Sequence, residues 1–306
     1  MLKIGTYNLT FLFTPGTHKH SGTDYEFTED FIQSRYEYFA KEFEKLDRDI
    51  LFLQEVGGED ALRSVLEKIE TEYEYFIAEP DRQGVGNAVI YKKGLDCTCK
   101  SAPTNTDMPV FNQEHSDGLG DQLWSRRDYV LLTTTHKDKP LHILGVHVKS
   151  NFLMWGPQRA LLDNPSQLSQ TDAADAVIRS EIFRLNQARK IREIADETLK
   201  KGASLIILGD FNAKTDNKLY SIVQGKMKKL DTALSPALDS IPEEKRYTLI
   251  GHISKGLIDH VFVSKDLESK VEDIKIHNED LYDHSTNPDA PYIIESDHAA
   301  VTFNLI

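Results

Sequence analysis

Six short clusters of carboxylate, amide and imidazole residues mark this 306-residue chain: Thr6-Tyr7-Asn8, Leu53-Gln54-Glu55, Val146-His147-Val148-Lys149-Ser150, Gly209-Asp210-Phe211-Asn212, Ile258-Asp259-His260-Val261 and Ser296-Asp297-His298. Each ends or follows an apolar run that reads as a strand. Polar groups gathered at the ends of several strands are how an α/β scaffold builds a reaction site. Packing alone does not call for six of them. The residue types suit hydrolysis of a phosphate ester with help from a divalent cation.

Magnesium takes hard oxygen ligands and is held by one or two carboxylates plus substrate phosphate. Glu55 at a strand end fits that role, with Asn8 as an amide neighbour; taken singly, Asn8 reads as a strand-end turn and Glu55 equally as a solvated residue before Gly57-Gly58. Asp210 and Asn212, two apart after a four-residue apolar run, can take a proton from an attacking water and orient it, or form an Asx-type turn. Asp259 and His298 can pair, the carboxylate fixing the ring tautomer and raising its basicity. That suits an imidazolium facing a phosphorane-like transition state. His147 offers a second donor to phosphoryl oxygens and Arg127 a bidentate one. His260, directly after Asp259, points to the opposite strand face and reads as structural, and the remaining histidines read as ordinary surface or core residues.

The elements that must carry these groups follow from periodicity. Met1 to Thr10 reads as a strand. A helix runs from Phe31 to Leu46 with Ile32, Tyr36, Phe39, Phe43 and Leu46 at helical spacing, and Thr28 is its N-cap ahead of Glu29 and Asp30. Strands follow at 49–54, 73–78, 87–92, 129–135, 141–148 and 205–208, with a short helix at 61–69. A long helix spans 172–200, its buried stripe marked by Ile178, Ile182, Leu185 and Ala188 and its end by Gly202. Later strands are expected at 256–263, 271–276 and 297–305. Segments 101–121 and 151–171 read as long loops, and loops of that length are usually functional or disordered. Within the second, Trp155 beside Phe152, Leu153 and Met154 can stack on a base, sit against lipid, or pack under the loop. The last strand must lie near the first for its motif to join the site, so the chain is expected to form one domain, 1–306.

Composition narrows the partners. The chain is 40% hydrophobic and 28% charged, ordinary for a globular protein. No apolar run approaches the roughly 20 residues needed to cross a bilayer, so no stable membrane anchor is expected. The N-terminus has no signal-like h-region, a lean towards the cytoplasm that a processed secreted form would share. Cys97 and Cys99 are too few for a disulfide framework; in a strand they share one face and read as buried. With 36 basic and 49 acidic residues, the net charge of −13 argues against broad duplex binding. A local basic groove is still allowed, from Arg126-Arg127, Lys149 or Lys226 to Lys229.

The ordered set Asn8, Gln54-Glu55, His147, Gly209-Asp210-Phe211-Asn212, Ile258-Asp259-His260 and Ser296-Asp297-His298 resembles the endonuclease/exonuclease/phosphatase superfamily over nearly the whole chain. The resemblance implies an α/β four-layer sandwich, two packed mixed β-sheets flanked by helices, with the site at one end. It implies Mg2+ (or Mn2+) on Glu55, with Asn8 and Asp297 in the metal's surroundings. Asp210 would orient or deprotonate water beside Asn212, Asp259 would orient His298 against the scissile phosphate, and His147 would stabilise the pentavalent state. Arg127, Lys149 and Trp155 are the expected substrate contacts. The expected activity is an endo- or exonuclease-type phosphodiesterase on single-stranded or short nucleic acid, or alternatively hydrolysis of a lipid or small phosphorylated metabolite. Oligomeric state is not legible.

Overall fold

The computed structural model describes residues 1–16, 28–81, 84–104, 106–107, 122–123, 127–154, 168–226, 232–250, 255–281, 283 and 293–306. Strands are Leu2–Leu12 (β1), Ile50–Val56 (β2), Tyr73–Ile77 (β3), Gly86–Lys92 (β4), Cys97–Ala102 (β5), Thr106–Asp107 (β6), Gln122–Leu123 (β7), Tyr129–His136 (β8), Lys139–His147 (β9), Ser204–Asp210 (β10), Leu234–Pro236 (β11), Leu249–Ile250 (β12), Lys255–Gly256 (β13), Asp259–Ser264 (β14), Val271–Ile276 (β15) and Val301–Leu305 (β16). Helices are Glu29–Leu46 (α1), Glu59–Leu66 (α2), Gln170–Lys200 (α3) and Lys218–Gln224 (α4).

Two six-stranded mixed sheets dominate, in the orders β15-β16-β1-β2-β4-β3 and β11-β14-β10-β9-β8-β5. Each has one parallel pair at its centre, β1 with β2 and β9 with β10, flanked by antiparallel neighbours. The alternation of side chains along a strand sorts the core into three layers. Ile4, Phe52 and Val89 of one sheet meet Ile143, Ile206, Leu208 and Val261 of the other. The outer face of the first sheet, with Leu51, Leu53 and Ile90, packs on Phe39 and Phe43 of α1 and on α2. The outer face of the second, with Leu205 and Ile207, packs on α3 and α4. The result is a helix–sheet–sheet–helix sandwich.

Glycine sets two of the close approaches. A Cβ on Gly145 of β9 would collide with the Phe52 ring of β2, so the sheets pack tightly there only because it has none. Gly209 of β10 has φ +131°, and a Cβ there would run into the Val146 carbonyl, a conformation L side chains rarely adopt.

Three expectations are corrected. Ile178 of α3 is 56% exposed, and the buried face is turned to Ala176, Ser180, Phe183, Arg184, Gln187, Ala188, Ile191, Ala195 and Thr198. Its N-terminal part, up to Gln187, packs against the backbone of the loop after β9, where Gln187 and Ser180 bond the Lys149 amide and the Phe152 carbonyl, so apolar spacing misreads it. The 256–263 strand is two pieces, β13 and β14, parted at Leu257–Ile258. The last strand begins at Val301 and not at Asp297, because the preceding amides bond elsewhere: Asp297 N to Thr10 Oγ1, His298 N to Ser296 Oγ, and Ala299 N to the Thr248 carbonyl. Thr28 does cap α1, accepting from Phe31 N at 3.3 Å. Cys97 and Cys99 share the half-buried face of β5, and burial raises both thiols, Cys99 to about 12.

Candidate active site

At one end of the sandwich the two parallel pairs finish together. Asn8, Glu55, His147 and Asp210 lie at or near the C-terminal ends of β1, β2, β9 and β10. Strands β14 and β16 run antiparallel to β10 and β1, so Asp259 and the segment before β16 reach the same end. Asp210 is the register partner of both His147 and Asp259. In-register residues of neighbouring strands share a face, and this face looks inward. From the other sheet, Asn8 Nδ2 donates to Asp210 Oδ2 at 3.0 Å, across the inter-sheet gap.

Glu55 joins them through a backbone irregularity. Alternation puts Leu51 and Leu53 on the outer face of β2 and Gln54 on the inner, where it bonds Thr6. Glu55 ought then to face outward. Its φ of +62° and the register shift between Leu53 and Val56 turn it back, a bulge that re-aims a side chain. Its Oε1 accepts from Asn8 Nδ2 at 3.2 Å. Thr10 and Phe11 (φ +46° and +64°) make a comparable irregularity in β1, and Asn212 (φ +47°) follows β10. Such strain clusters where a site over-determines the chain.

The turn readings of Asn8 and Asp210 are realised together with their place in the site. Asn8 Oδ1 accepts Thr10 N at 3.0 Å, and Asp210 Oδ1 accepts Asn212 N at 2.7 Å. Asn212 Nδ2 donates to Asp210 Oδ2 at 3.1 Å and to the Val148 carbonyl at 3.0 Å. Burial, reinforced by Asp259, pushes the Asp210 carboxyl up to about 7. Burial likewise raises Glu55.

The two histidines differ. Burial pulls His298 down, but Asp259 Oδ2 at 2.8 Å from its Nδ1 outweighs that, and the ring is held well above its usual range. Asp259 itself is fixed by Thr248, whose hydroxyl accepts the amides of Ile258 and Asp259. His147 is buried and stands against Arg127, whose Nη1 lies 2.7 Å from Nδ1, and both causes drive it well below its usual range. Arg127 also pairs with the buried Asp81 at 3.3 Å. The Nε2 atoms of His147 and His298 lie 3.5 and 3.9 Å from Asp210 Oδ2.

The donor set fits a divalent cation. Glu55 Oε2 is buried without a hydrogen-bond partner, the condition of a carboxylate oxygen awaiting a positive charge. Asp297 lies near, bonded to Thr10 and 38% exposed at its side chain. Ligand atoms of Asp210, Asp259 and His298 also fall within 4.8 Å of one another, but His298 Nδ1 is already taken by Asp259. Glu55, with the Asp297 carboxylate close enough to act on it electrostatically, is the harder, more magnesium-like set.

Of the expected substrate contacts, Arg127 is at the site. Lys149 Nζ donates to the carbonyls of Ser150 and Phe152 and to Ser180 Oγ, knotting its own loop to α3. Trp155 lies outside the described residues. His260 is structural: its Nε2 bonds the Ala213 carbonyl at 2.7 Å among Phe211, Tyr220 and Phe262.

Sequence reading missed Arg35. Its buried guanidinium binds the carbonyls of Leu9, Thr10, Ile293, Ile294 and Glu295, tying the end of β1 to the segment before His298. The signal was a charged residue beside the apolar stripe of Ile32, Tyr36 and Phe39.

The family model described as the endonuclease/exonuclease/phosphatase family matches residues 32–298. No curated protein matches the chain in sequence. Among solved structures, truncated TDP2 from Caenorhabditis elegans has a TM-score of 0.60 at 15% identity, covering 99% of this chain and 96% of that one. The human nocturnin catalytic domain, with a bound sulfate anion, has 0.56 at 14%, covering 100% and 94%. A mannosyl-6-phosphatase of Bacteroides thetaiotaomicron has 0.54 at 16%, covering all of both chains. At these identities the likeness is one of fold.

Proposed function

Because the chain belongs to the endonuclease/exonuclease/phosphatase family, whose members hydrolyse phosphate esters, we propose that it is a divalent-metal-dependent phosphodiesterase that cleaves short or single-stranded nucleic acid by in-line attack of water. The observation that carries the hydrolytic part is the meeting of Glu55, Asn8, Asp210, His147 and the Asp259-held His298 within hydrogen-bonding or ion-pair reach of one another.

Glu55 would hold Mg2+ or Mn2+, with Asn8 and Asp297 around it. The bound cation supplies charge neutralisation at the phosphoryl oxygens. Asp210, its basicity raised by burial, accepts the proton of the attacking water near neutrality, and Asn212 keeps its carboxylate in place. His298, charged by Asp259, donates to a phosphoryl oxygen from a fixed direction, which needs no reorganisation as charge develops. His147, neutral beside Arg127, donates without a charge of its own.

A strand of nucleic acid as substrate is favoured by the apolar side chains just past the His147 strand: Phe152 is 83% exposed and Leu153 39%, and an exposed ring there can stack on a base. The acidic balance favours a short or single strand over a duplex. A small sugar phosphate is the second reading, supported by the likeness to a mannosyl-6-phosphatase over the full length of both chains. A panel of oligonucleotides, plasmid, lipid and sugar phosphates, each with Mg2+, Mn2+ or chelator, tests both. Metal-dependent turnover of oligonucleotide is expected; turnover confined to sugar phosphates or lipids would overturn the nuclease reading.

A further inference from the structure

The buried face of α3 carries four polar residues, Ser180, Arg184, Gln187 and Thr198, and the first three stand at a spacing that aligns them on one stripe. Each of these three reaches a loop of the site. Gln187 Oε1 accepts Lys149 N at 2.9 Å, and Ser180 Oγ donates to the Phe152 carbonyl at 3.2 Å, so two of the three hold the segment after His147. Arg184 Nη2 donates to the Asn212 carbonyl at 3.0 Å and so holds the turn after Asp210. The two loops also bind each other: Val148 N donates to the Asp210 carbonyl at 2.8 Å, and Asn212 Nδ2 to the Val148 carbonyl.

Arg184 is the costly member. It is the largest of the fully buried side chains, yet its Nε and Nη1 have no hydrogen-bond acceptor. Its nearest charge partner, Glu181, is 3.6 Å from Nε and half exposed. A buried guanidinium left partly unsatisfied weakens a fold relative to an apolar residue of similar volume. The same stripe continues through Ala188, Ile191 and Ala195, so an apolar side chain would suit the packing.

We propose that Arg184 is a positioning residue of the hydrolytic site: it fixes the strained Asn212 turn, and through it the Asp210 carboxylate, at the expense of stability. This rests on the reading of Asp210 and Asn212 as parts of the reaction site. Phe211 N and the Ala213 carbonyl anchor the ends of the turn, Arg184 supplies the bond to the Asn212 carbonyl at its strained centre, φ +47°, and the Asn212 amide and side chain are the two groups that aim Asp210 from its own loop. Losing the Arg184 contact lets the turn relax and the carboxylate drift, and displacement of this kind damages turnover more than binding.

The test is Arg184→Met and Arg184→Lys in the full chain, assayed on bis(p-nitrophenyl) phosphate with Mg2+. For Arg184→Met we expect an unchanged or higher Tm, kcat lower by about tenfold or more, and KM within about twofold. Arg184→Lys, which keeps a donor, should recover part of kcat. Hydrogen exchange should quicken in the 210–213 turn of Arg184→Met and stay unchanged in the strands. A fall in Tm of Arg184→Met, including failure to fold, or an unchanged kcat overturns the proposal. If the wild-type chain hydrolyses no phosphoester, the functional reading fails. The exchange result then still decides whether Arg184 holds the turn.

Discussion

His147 and His298 approach the same carboxylate oxygen of Asp210, at 3.5 and 3.9 Å, yet their neighbours drive them apart in charge. A guanidinium faces one ring and a carboxylate the other, and charge partners of opposite sign move a buried imidazole in opposite directions. For the pair His298 and Asp259 we expect interdependence: His298→Ala should lower kcat by about 100-fold or more, as loss of one transition-state donor does, and Asp259→Asn should damage the same contact by freeing the ring. A double-mutant cycle at saturating metal should be strongly non-additive; additive losses would mean that His298 acts without its carboxylate. Glu55→Gln should weaken Mg2+ binding by at least about tenfold, since altering even the partners of a ligand costs that much, and calorimetry reads it directly. Unchanged affinity would move the cation to the Asp210, Asp259 and His298 group.

At the level of elements, short backbone departures decide what each strand presents. Gly209→Ala places a Cβ against the Val146 carbonyl at φ +131° and should destabilise by on the order of 3 kcal/mol, read from the urea midpoint. A shift below about 1 kcal/mol would mean that β9 and β10 can separate to admit it. These departures also mark where the sequence was and was not legible. Apolar runs gave β1, β2, β4, β8, β9 and β10 to within a few residues, and the polar residues at their ends could be named, because a buried strand is a local pattern. The inward turn of Glu55 could not be seen, since it depends on one φ angle. Nor could the stripe of α3, because Ser180, Arg184 and Gln187 are buried against loop carbonyls and amides that only the folded chain brings there. The site group left unread, Arg35, binds carbonyls from segments more than 250 residues apart.

For the molecule as a whole, buried histidines tie stability to pH. Burial depresses His260 to about 4, and His277, less deeply buried, to about 4 as well. Both rings therefore favour the neutral form in the folded state. As pH falls, the unfolded chain takes up these protons first, near 6.5. The stability each gives is full above 6.5 and is lost as pH drops towards 4. For His260 that amounts to about 3 kcal/mol, with less from the more exposed His277. Urea unfolding of His260→Gln should show a shallower loss of stability between pH 6.5 and 4 than the wild type; parallel curves would remove His260 as the cause. We also read the chain as one folding unit. Deleting residues 301–306 should abolish cooperative unfolding, because β16 lies between β15 and β1 and carries no substitute. Survival of a cooperative transition would show that the second sheet folds alone.

The pairing of Leu2 with Leu305 has a consequence for how the protein is made. Strand β1 is translated some 300 residues before its partner on one side, a gap of about 15–60 seconds of synthesis. Until then the first sheet has an open edge, and neither Asp297 nor His298 exists to meet Asp259 and Glu55. A growing chain thus carries the other polar groups of the candidate site before Asp297 and His298 are made, and the group is incomplete until then. Ribosome-arrested chains ending before residue 297 should bind no substrate analogue productively and should be cut readily by protease near β1, whereas chains extended well past β16 should resist.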